Sequence, residues 1–418
     1  MKGDIFNRRE ELKQLWIDIF HDSKEYVNLI ADTYFVEENI EIFLNDNDDI
    51  ISALWSVPYL FKSSGKDELM KGLYLCGLST RESFRGKGII KNLIKKIENK
   101  SSMAGFDFCF LIPADEHLRR YYEKLGYRSL NGKNNIVLKF SNDFKSYLSR
   151  FKNEIVVEIK NEVVLKYKND TLEVSGDRED KYTFGFLNIT SSEFENFIHG
   201  NKGVGISDFS FCDYEKDLNY IFEFCDNAEK NLLLLNSYRL MHLYEKEQSP
   251  LSLLHSPRDF VAAIRENEIS GGRVVVMQNS ESKPFALLFC YYDKEARQID
   301  VRFCGSTSED KAISALLYLK LCCFQDAREM KIHLFVCSEK ENSSLLEFLQ
   351  SLSVRTSDGV EIPLSRECEA HLEKYGMIKW LNREDEDANC QIGEGEIKPH
   401  KCKQKISNLN LNISLMLD

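Results

Sequence analysis

The chain has 418 residues, 43% of them hydrophobic, which is enough for more than one core, so two or three domains are expected. A formal net charge of -12 argues against a nucleic-acid partner, which needs a basic face, and mildly favours cationic substrates such as amines. The opening MKGDIFNRREELKQLWIDIF scatters charges through its apolar positions, unlike a signal peptide, and no stretch reaches the roughly 18 apolar residues of a membrane span. A cytoplasmic location without a membrane partner is the expectation. The 12 cysteines stand mostly singly, as at Cys76, Cys109, Cys290 and Cys304, and read as small buried hydrophobes in a reducing compartment. In the tail, Cys390, His400 and Cys402 lack a fourth ligand at regular spacing, so no metal is expected.

Residues 9–35 place Leu12, Leu15, Trp16, Ile19 and Phe20 at helical spacing, which predicts one or two amphipathic helices. The period then changes. Glu41 to Leu44 and Ile50 to Val57 are apolar-rich strands around a turn at Asn45 to Asp49, and Leu73 to Leu78 is a further strand entering a basic loop. From Gly88 the pattern is helical, with Ile89, Ile90, Leu93, Ile94 and Ile97 in one stripe and Lys91, Lys95 and Lys96 facing away. Phe106 to Ile112 is a buried strand closed by Pro113, Glu116 to Lys124 a helix stopped at Gly126, and Asn135 to Phe140 the strand expected to close this unit.

Ile155 to Ile159, Val163 to Tyr167 and Thr171 to Val174 read as a three-stranded meander. Beyond Ser207 helix and strand signals alternate again, through Arg258 to Glu266, Arg273 to Met277, Phe285 to Tyr291, Gln298 to Phe303, Lys311 to Phe324 and Ile332 to Val336. The order mirrors the first unit. Cys76-Gly77 is echoed by Cys304-Gly305, and Glu123-Lys124-Leu125-Gly126 by Glu373-Lys374-Tyr375-Gly376, which points to an internal duplication. The expected division is 1–142, 143–205 and 206–418, the last ending in a strand at Leu409 to Leu417.

Arg85-Gly86-Lys87-Gly88 at a helix start has the makings of a phosphate site. Residues without side chains let main-chain N–H groups approach an anion, and the helix dipole adds positive potential. A P-loop would need Ser or Thr after Gly-Lys, where this chain has Gly88, and a dinucleotide fingerprint would need a third glycine where it has Lys91.

These residues resemble the GNAT superfamily of N-acetyltransferases, whose cofactor signature is Arg or Gln, two residues, Gly, one residue, then Gly or Ala. Arg85 and Gly88 match it and Ile90 departs at its last position. Tyr122 to Tyr127 fits the family's Tyr four residues before a Gly-aromatic pair. The two related halves resemble the larger enzymes of the enhanced-intracellular-survival type, although there the small extra sheet comes last.

The resemblance implies a mixed, splayed sheet flanked by helices, a second, degenerate GNAT-like domain, and acetyl-coenzyme A as cofactor. Leu78, Ser79 and Thr80 would line the pantetheine, and Arg85, Gly86, Lys87, Gly88, Ile89 and Ile90 would hold the pyrophosphate. The acetyl group would pass directly to a primary amine of a small molecule or peptide, with Tyr122 as proton donor to the departing thiolate. An amine resembling a lysine side chain has a pKa of about 10.4, so a base is needed. Cys76 stands where many relatives carry a glutamate, and Asp418 is the candidate base because in that group the terminal carboxylate reaches the active site. Trp55 and Tyr59 are candidate acceptor contacts, while His117 reads as a helix cap. Ser306 to Lys311 carries acids and no glycine, so the second half is expected to be silent and to shape the acceptor pocket or an oligomer interface. The alternative function is a non-catalytic acyl-coenzyme A sensor.

Overall fold

The computed structural model describes residues 5–63, 69–130, 133–142, 155–159, 163–168, 171–175, 183–209, 218–247, 251–279, 281–307, 309–334, 350, 353–355, 361–373 and 376–381. Helix α1 (Arg9–Phe20) buries Leu12, Leu15 and Trp16, and α2 (Lys24–Tyr34) starts at Ser23, whose hydroxyl accepts the Tyr26 N–H at 3.1 Å. Strands β1 (Ile40–Leu44) and β2 (Ile50–Ser63) form a hairpin, and β3 (Leu69–Thr80) runs back beside β2. A crossover helix, α3 (Ile89–Met103), returns the chain to β4 (Phe108–Leu111), parallel to β3. Then come α4 (Glu116–Glu123), capped by Asp115, and β5 (Arg128–Ser129). Strand β6 (Lys133–Phe140) and the meander β7 (Ile155–Ile159), β8 (Val163–Lys168) and β9 (Thr171–Ser175) follow.

The second half begins with β10 (Thr183–Leu187) and α5 (Ser191–Gly200), which opens in a capping box of Thr190 and Glu193. After α6 (Ala228–Glu247) and β11 (Leu251–Leu254), α7 (Pro257–Ile269) starts in a second capping box, Ser256 with Asp259. Strands β12 (Arg273–Gln278), β13 (Pro284–Asp293) and β14 (Gln298–Ser306) form an antiparallel run, and α8 (Glu309–Tyr318) with a π turn at Leu319–Cys323 crosses to β15 (Glu329–Leu334), parallel to β14. The hairpin β16 (Ser353–Arg355) and β17 (Glu361–Pro363) precedes β18 (Ser365–Glu373) and β19 (Met377–Trp380).

Two large sheets result, ordered β1-β2-β3-β4-β19-β5 and β10-β12-β13-β14-β15-β6-β18, with β11 added to β2 of the first. The penultimate strands are exchanged. β19 comes from the far end of the described chain and pairs antiparallel with β4 (Met377 opposite Leu111, Trp380 opposite Phe108) and with β5. Reciprocally, β6 lies between β15 and β18 of the second sheet. The strand Asn135 to Phe140 therefore does not close the first unit, and sheet membership crosses the boundaries at 142 and 205. The reason is that β4 and β15 each need an antiparallel partner to satisfy their backbone groups, and local sequence does not say which copy supplies it.

Helices α1 and α2 cover one face of the first sheet and α3 and α4 the other. Trp16, Trp55, Tyr59 and Phe110 share one continuous core with Tyr238, Phe260 and Phe289 of the second half. Within that junction, Glu245 of α6 and His255 after β11 are both buried and face each other at 2.5 Å. Removing one member of such a pair costs about 3–5 kcal/mol.

The duplication shows in the shared strand order, and Cys76-Gly77 and Cys304-Gly305 fall on equivalent strands, β3 and β14, each leading to a crossover helix. The second echo does not correspond. Glu123 ends a helix whereas Glu373 ends strand β18. The terminal strand expected at Leu409 to Leu417 lies outside the described residues.

Ile378 in β19 is buried, so Ile378→Ala should destabilise the protein by about 2–5 kcal/mol. Hydrogen exchange read by mass spectrometry should show protection lost at Phe108–Leu111, far away in sequence but adjacent in the sheet. Unchanged exchange there would contradict the strand exchange.

Candidate active site

Strands β3 and β4 pair only from Gly72 opposite Phe108 to Tyr74 opposite Phe110, although β3 continues to Thr80. Beyond Tyr74 the two strands part. The β2–β3 register shifts between Ala53 and Trp55, and within that irregularity Gly77 takes a φ of +56°. A Cβ there would also stand 2.4 Å from Cζ3 of Trp16, so conformation and space both call for glycine. On the other strand, Ile112-Pro113 ends β4, and Pro113 has no N–H to continue the ladder.

The parted edge presents main-chain groups. The Arg81 N–H bonds to the Ile51 carbonyl at 2.8 Å, so by antiparallel alternation Ser79 turns its main chain toward β2, and Leu78 and Thr80 turn theirs toward the gap. The Ser79 side chain is buried, and its carbonyl accepts from the Ser52 hydroxyl at 2.7 Å. Of the three residues expected along the pantetheine, Ser79 turns its main chain toward β2, and Leu78 and Thr80 turn theirs away from it.

Arg85, Gly86, Lys87 and Gly88 are all exposed. Gly86 and Gly88 have φ of +78° and +74°, which lets the chain turn sharply into α3. The first main-chain bond of α3 runs from the Asn92 N–H to the Gly88 carbonyl at 3.2 Å, so the amides of Ile89, Ile90 and Lys91 precede the helical ladder. No side chain caps this end. Arg85 Nε donates to the Thr80 carbonyl at 3.2 Å, which ties the loop to the parted strand, and Lys87 Nζ sits 4.7 Å from the Phe84 ring centre. Open amides, a helix dipole and two cations make this a receptive site for a phosphate group.

Tyr122 lies on α4, only 7% exposed, in the core cluster that also contains Leu75 of the parted strand and Leu93 and Ile94 of α3. Burial, with the neighbouring Tyr121 phenol, pushes its pKa above the usual tyrosine range, so it holds its proton at neutral pH. Its ring meets that of Tyr127 at 6.0 Å. The Tyr127 hydroxyl donates to Glu98 Oε1 at 2.9 Å, and Lys379 Nζ donates to Glu98 Oε2 at 2.8 Å. Glu98 is buried on α3, and Lys379 belongs to the exchanged strand β19. Linear spacing does not join Lys379 to this group, because only sheet pairing brings it there.

On the face covered by α1 and α2, Trp16 packs over Gly77, and its indole N–H donates to Asp22 Oδ2 at 2.8 Å in the α1–α2 loop. This places a half-exposed carboxylate beside the bulged strand, another feature that linear spacing does not reveal. Cys76 is buried, and burial alone raises its thiol pKa, which makes it an inert core group. Trp55 and Tyr59, expected as acceptor contacts, are each 2% exposed. Trp55 packs between Trp16 and Phe35, and Tyr59 against Phe110 and His255. His117 is exposed in the first turn of α4, and Asp418 lies outside the described residues.

Residues 7–130 match the family model described as an acetyltransferase (GNAT) domain. A comparison with curated proteins finds no match. Among solved structures, a protein of unknown function from Enterococcus faecalis described as a probable N-acyltransferase is similar at 9% identity and a TM-score of 0.50, over 90% of this chain and 70% of that one. A GCN5-related N-acetyltransferase from Anabaena variabilis is similar at 11% identity and a TM-score of 0.51, over 90% of this chain and 71% of that one. Eis1 from Mycobacterium abscessus aligns at 8% identity and a TM-score of 0.48, over 90% and 72%. The first two likenesses concern the fold, and they extend across both halves. The parted strands, the glycine loop and Tyr122 all fall within the matched segment, and this chain carries at residues 7–130 an acetyltransferase domain of the GNAT family.

Proposed function

We propose that the chain transfers an acetyl group from acetyl-coenzyme A to a primary amine by direct attack in a ternary complex. The observation that carries this reading is the gap between β3 and β4 beyond Tyr74, with the open amides of Ile89 to Lys91 next along the chain. Pantetheine fits the edge of β3 at Leu78 and Thr80 as an added strand would, and the pyrophosphate belongs on Gly86 to Ile90 with Arg85 and Lys87 as counter-charges.

The amine nitrogen attacks the thioester carbonyl, the C–S bond breaks, and the thiolate takes the proton of Tyr122, while the nitrogen gives one up to a base or solvent, from which the Tyr122 phenolate is reprotonated. A buried phenol is a weak acid, but a thiolate in the same low-dielectric gap is raised as well, so the proton still has reason to move as charge grows on sulfur. Asp22 supplies negative charge on the α1–α2 face, which draws an ammonium and accepts its proton, directly or through Asp418. The net change is one amide formed and one thiol released. The amine is that of a small molecule or peptide, and the second half shapes its pocket or an oligomer contact.

A second reading, binding of acyl-coenzyme A without turnover, is favoured by the lack of a carboxylate between Leu73 and Ser79. Steady-state kinetics over a broad amine panel separates the two, since a wild-type chain that binds acetyl-coenzyme A and acetylates nothing is a sensor.

Tyr122→Phe should lower kcat by about 100-fold or more and leave acetyl-coenzyme A affinity nearly unchanged, as measured by calorimetry and initial rates. Arg85→Glu should weaken cofactor binding by about 10- to 100-fold, the range of one lost charge-assisted contact at about 1.5–3 kcal/mol. Lys379→Met strands the buried Glu98 carboxylate. Because the Lys379 side chain keeps 28% exposure, the cost should be about 2–3 kcal/mol, below that of a fully buried pair. Adding Glu98→Gln should recover most of the melting temperature, and no recovery would show that the pair is not coupled.

A further inference from the structure

A second cleft lies away from the parted strands, on the outer edge of β2. Strand β1 accompanies β2 as far as Ile40 opposite Trp55, and β11 takes over at Leu254 opposite Leu60, so among the described residues Ser56–Tyr59 lack a partner strand on that side. The space left there has a volume of about 730 Å³, within the range of about 300–1,000 Å³ usual for small-molecule sites. It lies across β2 and β3 from the cofactor gap, about 10 Å at the usual strand spacing. Val57 and Pro58 form its floor, Val36, Val204 and Ile221 add apolar wall, and Arg258 at the start of α7 closes one side.

The polar groups of this cleft are unequally spent. The Asp259 carboxylate accepts from the Tyr34 hydroxyl at 2.8 Å and from the Ser256 N–H at 2.7 Å and hydroxyl at 2.6 Å. Asn39 donates to the Val204 carbonyl and accepts the Ile206 N–H, each at 2.9 Å. Arg258 gives Nε to the Thr33 carbonyl at 2.5 Å and Nη2 to the Asp32 carbonyl at 2.9 Å, but its Nη1 is buried with no hydrogen-bond partner among the described residues. Burial lowers the guanidinium pKa to about 10, which still leaves it charged at neutral pH. A buried charged donor without an acceptor is costly. Lys202 adds an exposed cationic group at the rim, beside the exposed His199.

We propose that this cleft is a binding site for a small organic anion with an apolar body, a carboxylate held by Arg258 over the floor of Val57 and Pro58. The floor and α2 come from the first half, and Arg258, Lys202 and Val204 from the second, so the ligand bridges the junction between them.

The test is isothermal titration of the full chain with hexanoate, hexanamide and hexylamine, together with thermal melting. Hexanoate should saturate a single site and raise the melting temperature, with hexanamide and hexylamine at least 10-fold weaker. Arg258→Gln should weaken hexanoate at least 10-fold, and Val204→Phe, which fills the cleft without touching the ion contacts, should abolish binding with a melting temperature near that of the wild type. Arg85→Glu and Tyr122→Phe should bind hexanoate normally, which separates this site from the cofactor gap. Absence of saturable binding at millimolar hexanoate, equal binding of the three probes, unchanged affinity in Val204→Phe, or loss in Arg85→Glu would each overturn the assignment.

Discussion

The arrangement depends on how the edges of β4 are shared. On one side β4 holds β3 for only three residue pairs and then lets it go, and on the other it is held along its length by β19. A strand that gives up hydrogen bonds on one edge is stable only if its other edge is fully engaged, because a buried unpaired amide or carbonyl costs about 1–3 kcal/mol. The short pairing of β3 with β4 and the strand borrowed from the second half are therefore two sides of one requirement. Lys379 extends the same dependence to the side chains, since its ion pair with Glu98 supports Tyr127, against which Tyr122 packs.

This sharing gives the second half a structural part in the first site. Its own sheet repeats the strand order, including a parallel β14–β15 pair that covers only part of β14. What its sequence lacks is the glycine pair that precedes the crossover helix of the first half, since Ser306 to Lys311 carries acids and no glycine. The duplicated sheet thus contributes a strand, a core and half of the outer cleft.

The chemical site and the outer cleft differ in how their polar groups are satisfied. At Glu98 both carboxylate oxygens have a partner, Tyr127 on one and Lys379 on the other. In the outer cleft Asp259 is equally well paired, while a guanidinium nitrogen of Arg258 has no partner among the described residues. A fold meets such an imbalance with a ligand or water, and the apolar floor at Val57 and Pro58 limits what water can do there.

Much of the first domain was legible because its signals are local. The stripe Ile89, Leu93, Ile94 and Ile97 required one buried helix face, Gly86 and Gly88 required a turn that side chains resist, and Asp115 and Gly126 bounded α4. These are choices within a few residues, and each residue's own conformational preference decides them. What only the tertiary structure decided was partnership across distance. Asn135 to Phe140 has the alternation of a closing strand but carries nothing that distinguishes β15 from β4 as its neighbour, and the echo between residues 123–126 and 373–376 pairs a helix end with a strand end. Lys379 beside Glu98, Asp22 under Trp16, and the burial of Trp55 and Tyr59 follow from packing alone, since hydrophobic burial is non-directional and rewards whichever surface comes together.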